Sequence, residues 1–133
     1  MIGDTAMSAI LQRALDGTWQ RQRAIANNIA NAETPSYKAV KVSFEDSLDK
    51  EVQKLAGNMD TGEDFYRGLQ EIEDSEIGTY SDYSTSERAD GNNVNLDAEN
   101  VDMAKTQLQY AYLTRSMTDM FARLRYAISE GKK

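Results

Sequence analysis

The chain has 133 residues, enough for one modest core, with 22 acidic against 15 basic side chains and neither histidine nor cysteine. A net charge of −7 argues against a nucleic-acid partner, which requires a basic face to neutralise phosphates. Without cysteine or histidine there are no disulfides, thiolate nucleophiles, zinc-thiolate or imidazole metal sites, and no usual general base near neutral pH. No catalytic, cofactor or metal residues are therefore expected.

The segment Met1 to Met7 lacks the basic start and continuous apolar run of a cleavable leader, and no apolar stretch reaches the length of a membrane span. A helix is expected from about residue 5 to 32. Leu11, Leu15, Thr18, Gln22, Ile25, Ile29 and Ala32 follow alternating steps of four and three, a heptad seam with two polar positions in its middle. Leu11, Leu15, Ile25 and Ile29 are its packing candidates. Trp19 lies off the seam beside Arg21 and Arg23, and is expected to be a partly buried edge residue of a helical hairpin rather than an anchor for another subunit. The helix must stop near Pro35, the only proline, which lacks a backbone donor and disfavours helical geometry in the residue before it. Asn27, Asn28 and Asn31 weaken the helix unless their amides bond to groups outside it, in this chain or another.

The run from Asn28 to Lys38 resembles the N-terminal signature of the flagellar rod and hook axial proteins. Asn28, Ile29, Ala30, Asn31, Ala32, Thr34, Pro35, Tyr37 and Lys38 are the matching positions. Ser36 stands where that family carries glycine, the residue suited to a left-handed backbone. The resemblance implies a structural subunit of the bacterial flagellar basal-body rod, exported unfolded through the flagellar type III apparatus without a cleavable signal. It also implies partners: other rod proteins, the FliE adaptor, the MS ring and the export gate.

After Pro35, residues 37–43 suit an extended arm. Ser43 is expected to cap a short helix, with Asp46 three residues on and Phe44, Leu48, Val52 and Leu55 sharing one face before Gly57. Phe44 and Leu48 are similar to the element by which rod and hook subunits are recognised at the export gate, and equally suit core packing. From 57 to 89 periodicity is lost. Residues 46–90 carry a net charge of −9 and the remainder +2, so a solvated loop or small irregular subdomain is expected there. Ile77 to Ser84, with Tyr80 and Tyr83, suggests the strands of a hairpin. Glu71, Glu73, Asp74 and Glu76 lack the spacing of a calcium loop, and nothing sets a glycosidase separation between Glu63 and Asp64.

Asp90 to Glu99 reads as a turn followed by a helix cap at Asn95 or Asp97. It also resembles an element that precedes the C-terminal helix in proximal-rod proteins, with Asn95 in place of aspartate. A helix is expected from about 96 to 129. Leu96, Met103, Tyr110, Met117 and Leu124 recur every seven residues, with Leu113 and Met120 three further on and Phe121 and Ile128 four further on. Val101, Ala104, Leu108 and Ala111 widen this apolar face beyond what one partner helix covers. Arg123, Arg125, Lys132 and Lys133 gather near its end, before and after a stop at Gly131.

These readings predict a mainly α fold in which two long terminal helices form an antiparallel coiled-coil hairpin with a small irregular or β-hairpin middle. The divisions are an axial helix at 1–34, an arm, short helix and acidic flexible middle at 35–92, and a second axial helix at 93–133. The function expected is a proximal-rod structural subunit, a homo-oligomer in the assembled rod. A cytosolic helical-hairpin binding module, adaptor or export chaperone, is the alternative, and an enzyme built on carboxylates, lysine, tyrosine or hydroxyls is the weaker rival.

Overall fold

A computed structural model describes residues 2–58, 60–85 and 87–131; Lys132 and Lys133 of the terminal cation group lie outside the described residues. The element order is α1 Ile2–Ala30, β1 Val40–Ser43, α2 Glu45–Gly57, α3 Gly62–Glu73, β2 Gly78–Ser81 and α4 Leu96–Glu130. The two long helices pack antiparallel. Asn28 near the end of α1 meets Glu99 at the start of α4, and Arg21 and Ile25 share a cleft with Thr106 and Gln109.

α1 is covered on two sides. Besides α4, it packs Ala9, Ala14 and Ala24 into one core with Val42, Phe44, Leu48, Leu55, Phe65, Leu69 and Ile72. Small side chains on α1 let the α2–α3 layer approach closely, and Gly17 is the extreme case: a Cβ there would lie 2.4 Å from carbons of the Phe44 ring. The face that the heptad pattern marks is therefore only half of what α1 buries. Its polar seam position Thr18 is fully buried, its hydroxyl donating to the Ala14 carbonyl at 2.7 Å.

Four local details differ from expectation. Ser43 is the last residue of β1 rather than a cap; Phe44 holds the N-cap position without a side-chain bond, and the acidic first turn, Glu45 and Asp46, complements the helix dipole instead. Residues 62–73, expected as irregular, form α3. Thr61 caps it, its Oγ accepting from the Asp64 N–H at 3.1 Å, and Phe65, Leu69 and Ile72 form a buried stripe. β2 does not form a local hairpin: it pairs antiparallel with β1, Val40 opposite Ser81 and Ser43 opposite Gly78. Ser36 adopts φ of 61°, the left-handed conformation, despite its side chain. Among the described residues, no helix is long and apolar enough to cross a membrane.

Candidate functional site

The two sequence motifs meet at the closed end of the hairpin. Asn28 is fully buried and uses its whole amide. Its Oδ1 accepts from the Val40 N–H at 2.8 Å and the Tyr37 hydroxyl at 3.1 Å, while its Nδ2 donates to the Val40 carbonyl at 2.9 Å and to Glu99 Oε2 at 3.0 Å. The side chain thus pairs with β1 as a neighbouring strand would, which ties the arm back onto α1. Glu99, only 2% exposed, takes a second bond from Lys41 Nζ at 3.0 Å, and Asp102 lies 3.6 Å from the same ammonium.

Asn92 and Asn93 complete the clasp from the other motif. Asn92, also fully buried, donates to the carbonyls of Asn31 at 2.9 Å and Thr34 at 2.8 Å, a second donor for each beside the Thr34 and Tyr37 N–H groups of the turns that follow α1. Its Oδ1 accepts from the Val94 N–H at 2.8 Å. Asn93 Oδ1 accepts from the Ala39 N–H at 2.7 Å and its Nδ2 donates to the Asp82 carbonyl at 2.6 Å. The turn backbones are joined as well: the Ser36 N–H donates to the Asp90 carbonyl at 2.8 Å, which explains why Ser36 holds its left-handed geometry. Gly91, at φ 82°, is the matching turn, in a backbone conformation that side-chain-bearing residues rarely adopt. Lys38 donates to the Gly91 carbonyl at 2.5 Å and pairs with Glu87, while Arg88 donates to the Ala32 carbonyl. Beneath these bonds Ala32, Ala39 and Val94 form a small apolar cluster with Tyr37 packed against it.

Burial, and then the Glu99 charge, raises the pKa of the Tyr37 phenol. Burial opposes the charge on Lys41, but the hydrogen bond and charge of Glu99, with Asp102, outweigh it and raise the lysine pKa. Each effect holds the protonated form in place.

Within the rod signature, Asn28 and Ala32 are buried, Ile29, Asn31, Tyr37 and Lys38 half-buried, and Ala30, Thr34 and Pro35 exposed. Phe44 and Leu48 both lie in the main core, where the Arg21 guanidinium stands 4.8 Å from the Phe44 ring centroid. Of the packing candidates, Leu11, Ile25 and Met120 are buried, and Leu15, Ile29, Met103, Leu113, Met117 and Leu124 are half-buried. Leu96, Tyr110, Phe121 and Ile128 are exposed, as are Val101, Leu108, Tyr112 and Tyr126. Sequence reasoning missed Glu99, Asn92 and Asn93 as buried partners because each reads equally well as an ordinary cap or turn residue. Among the described residues, no group of three or more carboxylates is placed to hold a metal ion.

Fold and clasp together define a helical-hairpin structural protein, locked at one end, whose C-terminal helix presents an apolar face along its length. A family model described as "Flagella basal body rod protein" matches residues 4–38, a span that covers α1 beyond its first residues and ends on Lys38 of the clasp. The flagellar basal body rod protein FlgB of Bacillus subtilis is 36% identical over 123 residues, spanning 92% of each chain. The proteins of that name from Borrelia hermsii and Salmonella typhimurium are 33% and 30% identical, over 84% and 74% of this chain and 87% and 75% of theirs. The chain belongs to the FlgB family of flagellar basal body rod proteins. That family is one of structural proteins, not of enzymes.

Proposed function

We propose that the chain is an axial subunit of the proximal rod, passed through the flagellar type III export apparatus and built into the rod by lateral packing of its hairpin against other subunits. The observation that carries this reading is the uncovered face of α4. Leu108, Tyr112, Tyr126 and Ile128 are between 63% and 74% exposed, although they continue a helix whose other face is packed on α1. Neighbouring helices in a tube would cover them. Other rod proteins, the FliE adaptor and the MS ring are the neighbours this reading assigns, with the export gate met during passage. A free-standing adaptor or chaperone of the same shape would leave the face uncovered outside its complexes.

In this reading Phe44 and Leu48 serve twice, as core residues after folding and as a gate signal beforehand. Their burial makes the two uses successive. Replacing both with alanine costs several kcal/mol of folding stability, about 3–5 for the phenylalanine alone. A chain exported unfolded gains from lower stability, so loss of secretion by Phe44→Ala/Leu48→Ala in the flagellate host supports recognition. Undiminished secretion would leave these residues a packing role only.

A further inference from the structure

The uncovered side of α4 is charged as well as apolar. Lys105, Leu108, Tyr112 and Arg115 follow steps of three, four and three, so they form one row along the helix, and all four are exposed. Leu108 lies two residues beyond buried Thr106, about 200° around the helix, so the row faces away from α1. Asp119, Arg123 and Tyr126, also exposed, extend it. Three cations against one carboxylate make this face positive on a chain of net charge −7.

A row of the same spacing and opposite sign lies on α3. Glu63, Tyr66, Gln70 and Glu73 are exposed beside the stripe of Phe65, Leu69 and Ile72 that the helix buries. Ten residues separate the two charges in each row, about 15 Å of helix. Lys105 and Arg115 can therefore meet Glu63 and Glu73 together, with Tyr66 and Gln70 laid across Leu108 and Tyr112. The charges are available for such a contact. Among the described residues, the side chains of Lys105, Glu63 and Glu73 have no ion-pair or hydrogen-bond partner. Arg115 has only exposed Asp119 at 4.0 Å, a pair that holds its guanidinium weakly. The one cation of α3, Arg67, is taken up by Asp64 of the same helix.

One molecule cannot join its own two rows. α3 packs on the side of α1 that carries Ala9 and Ala14, whereas α4 packs on the side that carries Ile25, and both rows face solvent. Two different complementary surfaces on identical chains make a heterologous contact, which propagates from chain to chain instead of closing as a dimer.

We propose that the Lys105–Leu108–Tyr112–Arg115 row of α4 binds the Glu63–Tyr66–Gln70–Glu73 row of α3 on a second copy of this chain. The inference deepens the rod-subunit reading, for which it names one lateral contact, and rests on it. The ion pairs set register and partner, and burial of Tyr66 against Leu108 and Tyr112 supplies the apolar part.

The purified full-length chain is titrated in concentration at low salt and followed by sedimentation velocity. The proposal predicts association that high salt reverses. Lys105→Glu/Arg115→Glu weakens it about tenfold or more, as does Glu63→Lys/Glu73→Lys, and an equimolar mixture of the two variants restores it. All four positions are exposed, so both variants keep the helix content and melting temperature of the parent. The chain has no cysteine, so introduced thiols report the contact directly. Tyr66→Cys chains oxidised together with Leu108→Cys or Tyr112→Cys chains give mainly the mixed disulfide, in preference to either homodimer. Association that survives both charge reversals, or a mixture that fails to restore it, would overturn this contact while leaving rod assembly standing. Absence of self-association at every concentration would overturn the second copy as occupant, and retention of the chain in isolated rods would then still uphold the rod reading.

Discussion

The two ends of the hairpin solve opposite problems. At the closed end, where α1 stops and α4 starts, buried polar groups are matched one to one: Asn28 makes four bonds, and Asn92 bonds two carbonyls and one N–H. Toward the far end α4 carries Phe121, Tyr126 and Ile128, all more than half exposed, with only Met120 fully buried there. One end is closed by polar bonds within the chain, and the other leaves large apolar side chains exposed. The clasp therefore fixes the geometry of the closed end, and in the proposed rod reading association belongs to α4. A polar network suits the first task because its partners are directional and fix the angle at which the helices leave the turn. An apolar stripe suits the second because it tolerates small shifts between subunits.

The comparison breaks most severely at Asn28. Asn28→Asp keeps the shape but removes both side-chain donors and sets a second carboxylate against buried Glu99. A loss of about 3 kcal/mol or more in urea denaturation is expected, with no compensating change at the far end. Asn92→Ala is next, about 2 kcal/mol, because it strips donors from the Asn31 and Thr34 carbonyls.

Alkaline pH should act on the same end. Tyr37 and Lys41 have raised pKa values, so the stability they contribute is complete below their ordinary values of 10.0 and 10.5 and is lost as pH rises through the raised ones. A melting temperature that falls above this range is predicted, less steeply in Tyr37→Phe, and an equal slope in that variant would contradict the assignment. At the far end, Leu108→Ser and Ile128→Ser should change monomer stability by no more than about 0.5 kcal/mol. Their effect should appear instead as reduced incorporation into basal bodies. Large destabilisation of the monomer by either substitution would show that the α4 stripe is core.

How much of this was legible in the sequence follows from how local each signal is. Periodicity located α1 and α4 because helical spacing is written in neighbouring residues, and of the two cap candidates, Asn95 and Asp97, it is Asn95 that caps α4, accepting from the Ala98 N–H at 3.2 Å. The helix α3 was obscured by Gly62, Gly68 and its acidic residues, although Thr61 followed by Asp64 was a capping signal and Phe65, Leu69 and Ile72 an amphipathic stripe. Gly68 has a packing reason: a Cβ there would lie 2.6 Å from Leu55 Cδ1. The partners in the clasp were not legible at all. Asn28 and Glu99 are 71 positions apart, Asn92 and Asn31 61 apart, and an asparagine in isolation offers its amide equally to solvent, to a turn or to another chain. The pairing of β2 with β1 across the intervening helices was hidden for the same reason.

The measurement that tests the central claim most directly is the fate of a tagged copy expressed at native level in its own flagellate host. Basal bodies are extracted with detergent, washed with salt and probed for the tag. The account predicts that the chain stays in the rod fraction. Recovery only from the cytoplasm, in cells that still swim when the gene is deleted, would contradict it.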